Sequence, residues 1–377
     1  MAPLPALLGV FIILIIVWDA FETIVLPRRV TRQLRLTRLF YMLLWRSWKA
    51  VAGYIPPGKR REGVLSLFGP LSLLLLLGMW AVALLTGFAL LQFSQGNVIR
   101  GPDSHNVFTT YLYLSGSTFF TLGLGDVVPV TPLARFINVL EAGTGFGLLA
   151  VVIGYLPVIY QSFSTREQAI SLLDARAGSP SSAGELLRRH GQDGQLEALV
   201  PFLASWEDWA GELLESHLSY PVLVYYRSQH DNQSWIGALT TILDTCSLII
   251  SSIDCSAKWQ ARMTFAIARH AIVDLSQILE IPPEPPARDR LPAPDMQRLR
   301  TMLAGAGVPL LESAPQQAKL AQLRAMYEPY VNALARRLMF TLPSWIPGER
   351  VIQNWRTSAW EKSSQGREAD AMDDEHA

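Results

Sequence analysis

The sequence predicts an all-α membrane protein whose second half is a helical domain outside the bilayer. Residues 63–99 form a run of 37 without a formal charge, which exceeds the roughly 20 residues that a helix needs to cross a bilayer. Residues 136–160 form a second apolar run, which only Glu141 interrupts. From residue 164 onward charged residues return, and the apolar positions keep helical spacing nearly throughout.

Residues 1–27 are predicted to hold an N-terminal transmembrane helix that carries Asp19 and Glu22 toward its end. No Lys or Arg precedes its apolar run, which favours a retained anchor over a cleaved signal peptide. Because charges are costly inside a membrane, we expect Asp19 and Glu22 to pair with basic residues such as Arg28 and Arg29. Proton or voltage sensing is the alternative interpretation.

Residues 28–62 are predicted to form a basic linker. It holds ten Lys/Arg, whereas residues 94–135 hold only Arg100 and Arg135. The positive-inside rule therefore predicts a multi-pass protein of the cell (plasma or inner) membrane, with the N-terminus outside and the linker and C-terminus cytoplasmic. Residues 34–52 have helical apolar spacing with arginines between, which indicates an amphipathic helix at the headgroup boundary. A solvated linker is the alternative.

A glycine-alternating segment lies between the two long apolar runs. In order, its residues are Thr121, Leu122, Gly123, Leu124, Gly125 and Asp126. Non-helical backbone at membrane depth is tolerated only where protein buries it or where it lines a watery path. Aiming successive carbonyls at one axis requires dihedrals at every second residue that glycine adopts freely. Such carbonyl rings, with the Thr121 hydroxyl, can replace the hydration shell of a cation, and Asp126 would lie at the mouth.

Residues 113–129 read YLSGSTFFTLGLGDVVP and resemble the pore helix and filter of the potassium channel superfamily, whose signature is T-[VIL]-G-[YFL]-G-[DN]. The leucine variant is similar to a filter of some two-pore-domain channels. Residues 142–147, AGTGFG, resemble the glycine-bearing inner helix of two-transmembrane channels. The resemblance implies a pore domain at 63–163, built from an outer helix, pore helix, filter and inner helix.

The resemblance also completes the predicted fold class: an all-α membrane protein in which a helix–pore loop–helix ion-channel domain carries an extra N-terminal transmembrane helix and a helical cytoplasmic domain. It implies a potassium channel that conducts passively, with K+ at the filter carbonyls. No cofactor is expected besides the permeant K+. One filter copy cannot enclose a path, so a symmetric assembly is required, and the family implies a homotetramer surrounded by membrane lipid.

Tyr113, Phe120 and Glu141 are the candidate filter-support residues, and Gly143 is the candidate hinge. Tyr113 is placed to bond Asp126, as an aromatic does at the matching family position, although Tyr113 could simply pack. Glu141 is expected to bond behind or beside the filter, with pH sensitivity as the alternative. Gly143 matches the hinge of the family's inner helix best, although helix packing also accounts for small residues there.

Two departures from the family pattern keep other functions open. Phe120 stands where most members have a second threonine, and Leu124 replaces the usual tyrosine, so polar or aromatic bracing of the filter is lost. A weakly selective monovalent cation channel is therefore one alternative, and a non-conducting membrane-tethered sensor or scaffold is another. The sequence shows no nucleophile–base pair, so an enzyme is not predicted. The formal net charge is zero, so a nucleic acid partner is not implied.

The second half is predicted to contain a helical cytoplasmic domain at 164–280, a Pro-rich linker at 281–294, a helical C-terminal region at 295–362 and a disordered tail at 363–377. This half is expected to gate or assemble the pore. The predicted helices are 168–176, 183–191, 195–217, 219–230, 233–253, 256–280, 295–304 and 316–342.

A cluster of aromatic and charged residues lies between 206 and 235. Glu212, Glu215 and His217 could supply ligands to an ion, and Arg227 with His230 could receive an anion. These residues allow an unknown ligand or ion at the cytoplasmic domain. The ordinary interpretation is solvated charges over an aromatic core.

Overall fold

The computed structural model describes residues 3–26, 35–101, 107–192, 194–230 and 232–348. Arg28, Arg29 and the predicted disordered tail at 363–377 lie outside the described residues. The chain forms two compact units: a membrane unit of Met1–Ser162 with Val222–Tyr226, and a second unit of Phe163–Pro221 with Arg227–Ala377. The described elements are almost entirely helical, which confirms the all-α membrane fold class.

The membrane unit begins with α1 (Pro3–Ala20), which continues as a π-helical turn over Phe21–Val25, and the rest follows in chain order. Its further helices are α2 (Leu36–Gly53), α3 (Lys59–Ser66), α4 (Phe68–Phe93), α5 (Phe108–Phe119) and α6 (Pro132–Ala177). Two short strands, β1 (Ile99–Arg100) and β2 (Val128–Pro129), pair antiparallel on either side of the α5 segment. This pairing was not predicted, and it joins the two ends of the pore loop.

Within the described residues, four helices are long and apolar enough to cross a membrane: Pro3–Val25, Lys59–Phe93, Pro132–Ala177 and Trp235–Ser252. The last differs from the others because 94% of its apolar window is buried inside the protein. A helix that is hydrophobic all round and covered by protein is a core helix as readily as a span. Trp235–Ser252 matches the helix predicted over 233–253 in the second half.

Close approach of α1 and α4 depends on two glycines. A Cβ on Gly9 would lie 2.6 Å from the carbonyl oxygen of Gly87, and a Cβ on Gly87 would lie 2.8 Å from Ile13 Cγ1. Helices in lipid gain their association from such tight van der Waals packing. The crossing holds the N-terminal helix against the outer helix of the predicted pore domain.

The two carboxylates of α1 have different partners. Asp19 is buried and accepts hydrogen bonds from Thr37 N at 3.1 Å and Trp80 Nε1 at 3.0 Å. These two donors are neutral, and an N–H group at the start of a helix suits an anion. Arg28 and Arg29 lie outside the described residues, so a basic partner for Asp19 stays a prediction. Glu22 does meet a basic residue, because Arg35 Nε lies 3.7 Å from its carboxylate.

A cluster of aromatic rings joins α2, α4 and a returning segment of the chain. Trp45 lies 4.8 Å from Phe68, and Tyr225 lies 5.0 Å from each of them, between ring centroids. Tyr225 ends a short 3-10 turn, Pro221–Tyr225. The helix predicted over 219–230 is thus only this turn, because the apolar side chains at 222–224 are buried against the membrane unit.

We expect Gly69→Ala to destabilise the membrane unit. A Cβ at Gly69 would lie 2.6 Å from Tyr226 Cδ2, so the ring must move, and overpacking of this kind costs about 1–3 kcal/mol. Thermal unfolding of the detergent-solubilised protein should show a lower midpoint. Gly63→Ala is the matched control, because nothing lies within 4 Å of its added Cβ. Equal midpoints for the two variants would contradict the packing described here.

In the part of the second unit that the structure describes, seven further α-helices follow the end of α6. They are α7 (Ala183–Gln192), α8 (Leu199–Ser219), α9 (Trp235–Ser252), α10 (Lys258–Ile278), α11 (Ala293–Gly305), α12 (Ala314–Ala325) and α13 (Glu328–Leu338). The buried helix α9 packs against α7, α10, α12 and α13. The single helix predicted over 316–342 is two helices, and Pro329 lies in the first turn of the second, where proline is favoured.

The predicted linker at 281–294 does not separate two domains, since both of its sides belong to the second unit. The ion pairs of Arg290 explain why this segment packs against the helices of the second unit. Its guanidinium donates to Asp244 at 2.6 Å and to Glu328 at 3.3 Å. Burial alone would lower the pKa of Arg290, but Asp244, Tyr327 and Glu328 together outweigh burial and raise it. The side chain of Leu291 is also buried.

Candidate selectivity filter

The backbone after the pore helix alternates in the way that the sequence argument requires. After α5 ends, φ is +57° at Thr121, +61° at Gly123 and +77° at Gly125. Left-handed dihedrals cost about 1–2 kcal/mol for a residue with a Cβ, and glycine avoids this cost at two of the three positions. Only Thr121 bears it, and its N–H is held by a 3.0 Å hydrogen bond to the carbonyl of Thr118.

Ser117 holds the filter segment from the last turn of α5. Its carbonyl oxygen accepts hydrogen bonds from Leu122 N at 2.8 Å and from Gly123 N at 3.4 Å. Its hydroxyl oxygen accepts from Leu124 N at 3.4 Å. Sequence reasoning missed this residue, although the last carbonyls of a helix lack intrahelical partners and thus mark such positions. One serine thereby contacts three successive residues of the filter segment.

The structure contains the hydrogen bond that was considered for Tyr113. Its hydroxyl donates to Asp126 Oδ2 over 2.8 Å, and Asp126 Oδ1 accepts from Val127 N over 3.0 Å. A charged acceptor makes a hydrogen bond stronger than a neutral one. Asp126 is therefore fixed in orientation at the end of the filter segment, and filter support by Tyr113 stays a prediction.

Glu141 lies in a buried polar cluster between three helices. Its Oε1 accepts a short hydrogen bond from Ser115 of α5, and its Oε2 accepts from Gln92 Nε2 of α4 at 3.3 Å. The Ser115 hydroxyl also lies 2.9 Å from the carbonyl oxygen of Leu85. Glu141 thus bonds the pore helix and the outer helix rather than the filter residues themselves. Buried polar groups satisfied in this way fix the packing of the helices that carry them.

The glycines of α6 have different surroundings. A Cβ on Gly145 would lie 2.1 Å from the carbonyl oxygen of Phe119, whereas nothing lies within 4 Å of a Cβ on Gly143 or Gly147. Gly145 therefore sets the close approach of the inner helix to the end of the pore helix. The helix is continuous at Gly143, and a hinge there stays a prediction. Pro157 lies inside the same helix, where proline removes a main-chain hydrogen bond.

We expect Gly145→Ala to disrupt the pore domain and Gly147→Ala to leave it folded. The methyl group at 145 would overlap the Phe119 carbonyl, and backbone cannot yield as a flexible side chain does. The thermal midpoint in detergent should fall by several degrees for Gly145→Ala, which corresponds to a loss of about 1–3 kcal/mol. A Gly145→Ala protein as stable as Gly147→Ala would show that this helix contact is not required.

The cluster between 206 and 235 does not come together as one site. His217 is fully buried, and its Nε2 lies 3.2 Å from Arg166 Nη1 while Nδ1 bonds the carbonyl of Leu213 at 2.8 Å. Burial, and then the Arg166 charge, keep the pKa of His217 well below its usual value. His217 is thus neutral, with Nε2 as acceptor, and its ring nitrogens are occupied by protein groups.

The other candidate ligands of this cluster are dispersed. Arg227 donates to the carbonyls of Leu338 and Met339, over 2.5 and 3.1 Å, and lies over the ring of Phe340. Carbonyl groups therefore accept from the Arg227 guanidinium, for which an anion was suggested as a partner. Within the described residues, which omit Asp231, no group of three His, Cys, Asp or Glu could hold a metal ion. The ligand set suggested for Glu212, Glu215 and His217 is not assembled.

Comparisons with known proteins identify the segment around the filter. A family model described as "Ion channel" matches residues 74–161, and this confirms the resemblance of the segment to the ion-channel family. The chain is also similar to an uncharacterized membrane protein, YdjJ, of Bacillus subtilis (strain 168). The two are 23% identical over 292 residues, which cover 77% of this chain and 81% of that protein. No solved structure matches the chain.

Proposed function

We propose that this chain forms a homotetrameric, potassium-selective channel that conducts passively through a pore lined by residues 121–125. The observation that carries the proposal is the positive φ at Thr121, Gly123 and Gly125. This alternation lets successive carbonyls face one side of the strand, and rings of such carbonyls coordinate dehydrated K+. Asp126, held by Tyr113, would attract cations to the mouth.

The exposed apolar surface of the single chain supports assembly. Leu122 and Leu124 are 63% and 58% exposed in the single chain. The α6 window is only 17% buried, compared with 39% for the span that contains α4. In a ring of identical subunits, the exposed leucines would pack against neighbouring pore helices, and α6 would line the path. Four copies is the number that the family resemblance implies.

Topology and gating complete the proposal. The basic linker is placed in the cytoplasm and the N-terminus outside, as the positive-inside rule favours. Helix α6 is unbroken from Pro132 to Ala177 and so continues past the limit of the membrane unit at Ser162. A conformational change in the second unit would reach the inner helix through this covalent continuity. The second unit would therefore gate or assemble the pore.

Potassium flux from reconstituted liposomes tests the proposal. Gly123→Ala should reduce the flux about tenfold or more, since alanine at φ +61° is strained by about 1–2 kcal/mol in every subunit. Gly78→Ala is the matched control, because it also has nothing within 4 Å of an added Cβ but lies in α4. Crosslinking of both variants should show the same tetramer as the unaltered protein.

Two results would contradict the proposal. Undiminished potassium flux in Gly123→Ala would place the ion path elsewhere in the protein. A stable tetramer that shows no flux for the unaltered chain would favour the non-conducting sensor or scaffold.

A weakly selective monovalent cation channel is the second candidate. Leu124 carries no hydroxyl group, and its main chain is held by one long contact, 3.4 Å to Ser117 Oγ. A filter with little bracing can widen enough to coordinate other cations. The long contact at Leu124 therefore favours weaker discrimination between potassium and sodium, through the same proposed pore.

Reversal potentials with sodium opposed to potassium separate the two channel candidates. For a potassium-selective pore, the potential should follow the potassium gradient by about 59 mV per tenfold change. Leu124→Tyr, which restores the usual family residue, should leave that slope unchanged. A shallow slope in the unaltered chain that Leu124→Tyr steepens would instead establish the weakly selective channel.

A further inference from the structure

The outward face of α2 exposes large apolar side chains next to a basic one. Leu39, Met42 and Leu43 are 46%, 44% and 55% exposed, and the exposed Arg46 follows one turn later on the same face. Residues at spacings of three and four share one side of a helix. An exposed face that combines large apolar side chains with a cation is typical of helices that lie in a membrane interface.

The opposite face of α2 is fixed to the rest of the membrane unit. Thr37, at its start, bonds Asp19 at the end of α1. Trp45 is buried against Phe68 of α4, and Trp48 Nε1 donates to the carbonyl of Val64 in α3 at 3.1 Å. The helix is therefore held between the same-side ends of two candidate spans. Its outward face is presented where a bilayer changes from apolar to polar.

The charge of this region is strongly one-sided. Residues 35–62 contain seven Lys/Arg and one acidic residue, Glu62. Arg46 and Arg60, at the start of α3, are both exposed. Groups of four to eight basic residues next to a transmembrane helix attract anionic lipids, and guanidinium groups bond phosphate oxygens in a bidentate manner.

We propose that these residues form a binding surface for the headgroups of anionic phospholipids. The basic–apolar surface comprises Leu39, Met42, Leu43, Arg46 and Arg60. Its leucines and methionine insert among the acyl chains at the boundary, and its arginines bond lipid phosphates. Occupancy stabilises the membrane unit, because a ligand that binds only the folded state raises its stability. The proposal does not depend on ion conduction.

Thermal unfolding of the full chain in detergent micelles tests this surface. The midpoint is measured as phosphatidylglycerol or phosphatidylcholine is added, and only the former should raise it. Arg46→Gln combined with Arg60→Gln should raise the phosphatidylglycerol fraction for half-maximal stabilisation about fivefold per arginine. The control is Arg262→Gln combined with Arg288→Gln, two exposed arginines of the second unit, which should respond as the unaltered chain does.

Three outcomes would overturn the proposal. The first is an equal response of the two double variants to phosphatidylglycerol. The second is stabilisation of the protein by heparin, at matched charge, as strong as that by the lipid. The third outcome concerns Leu43→Ser, which should weaken the lipid response and leave the oligomer intact in crosslinking. Dissociation of the oligomer by Leu43→Ser would make the surface a contact between copies of the chain instead.

Discussion

The hydrogen bonding of the filter segment is the constraint on which the rest of the membrane unit depends. Lipid offers no partner to main-chain groups, so an irregular segment at membrane depth persists only where protein satisfies it. Ser117 accepts hydrogen bonds from three successive N–H groups of the segment. In the proposed pore, the carbonyl groups of the same segment coordinate cations. The pore helix that carries Ser117 must then be held in place, and the buried Glu141 does so by joining it to the outer helix. The polar groups of this unit thus form a chain of support behind the proposed ion path.

Glycine does two physically different tasks in this unit. Gly123 and Gly125 are needed for their dihedrals, since both have positive φ and open space around them. Gly9, Gly69 and Gly145 have no such dihedrals, but neighbouring atoms would overlap an added Cβ. The alternation of the first pair is visible in the sequence. The second task depends on which helix crosses at that point, so the sequence did not single out Gly145 as the glycine of close contact.

The sequence predicted features that depend on neighbouring residues better than features that depend on residues far apart in the chain. The pore helix expected ahead of residue 121 is α5, Phe108–Phe119, and the amphipathic helix expected over 34–52 is α2, Leu36–Gly53, because helical periodicity is local. The sequence could not show Thr37 and Trp80 as partners of Asp19, because they reach it only through the fold. The segment at 281–294 has the composition of a linker, yet Arg290 anchors it through Asp244, 46 positions away. For the filter residues, local geometry agrees with the expectation while their function stays proposed.

The two units differ in how far their charged and apolar side chains find partners within a single chain. In the second unit, buried charges meet partners within the unit: Asp244 with Arg290, and Arg166 with Glu167 at 2.9 Å. Its central helix is covered by protein along 94% of its apolar window. The membrane unit instead leaves Leu122 and Leu124 of the filter segment exposed. Lipid can cover leucine side chains, but it cannot solvate carbonyl groups. In the proposed assembly, further copies of the same segment would cover these leucines, and the carbonyl groups would face cations instead of lipid. The proposed tetramer would therefore be held together mainly around residues 121–125.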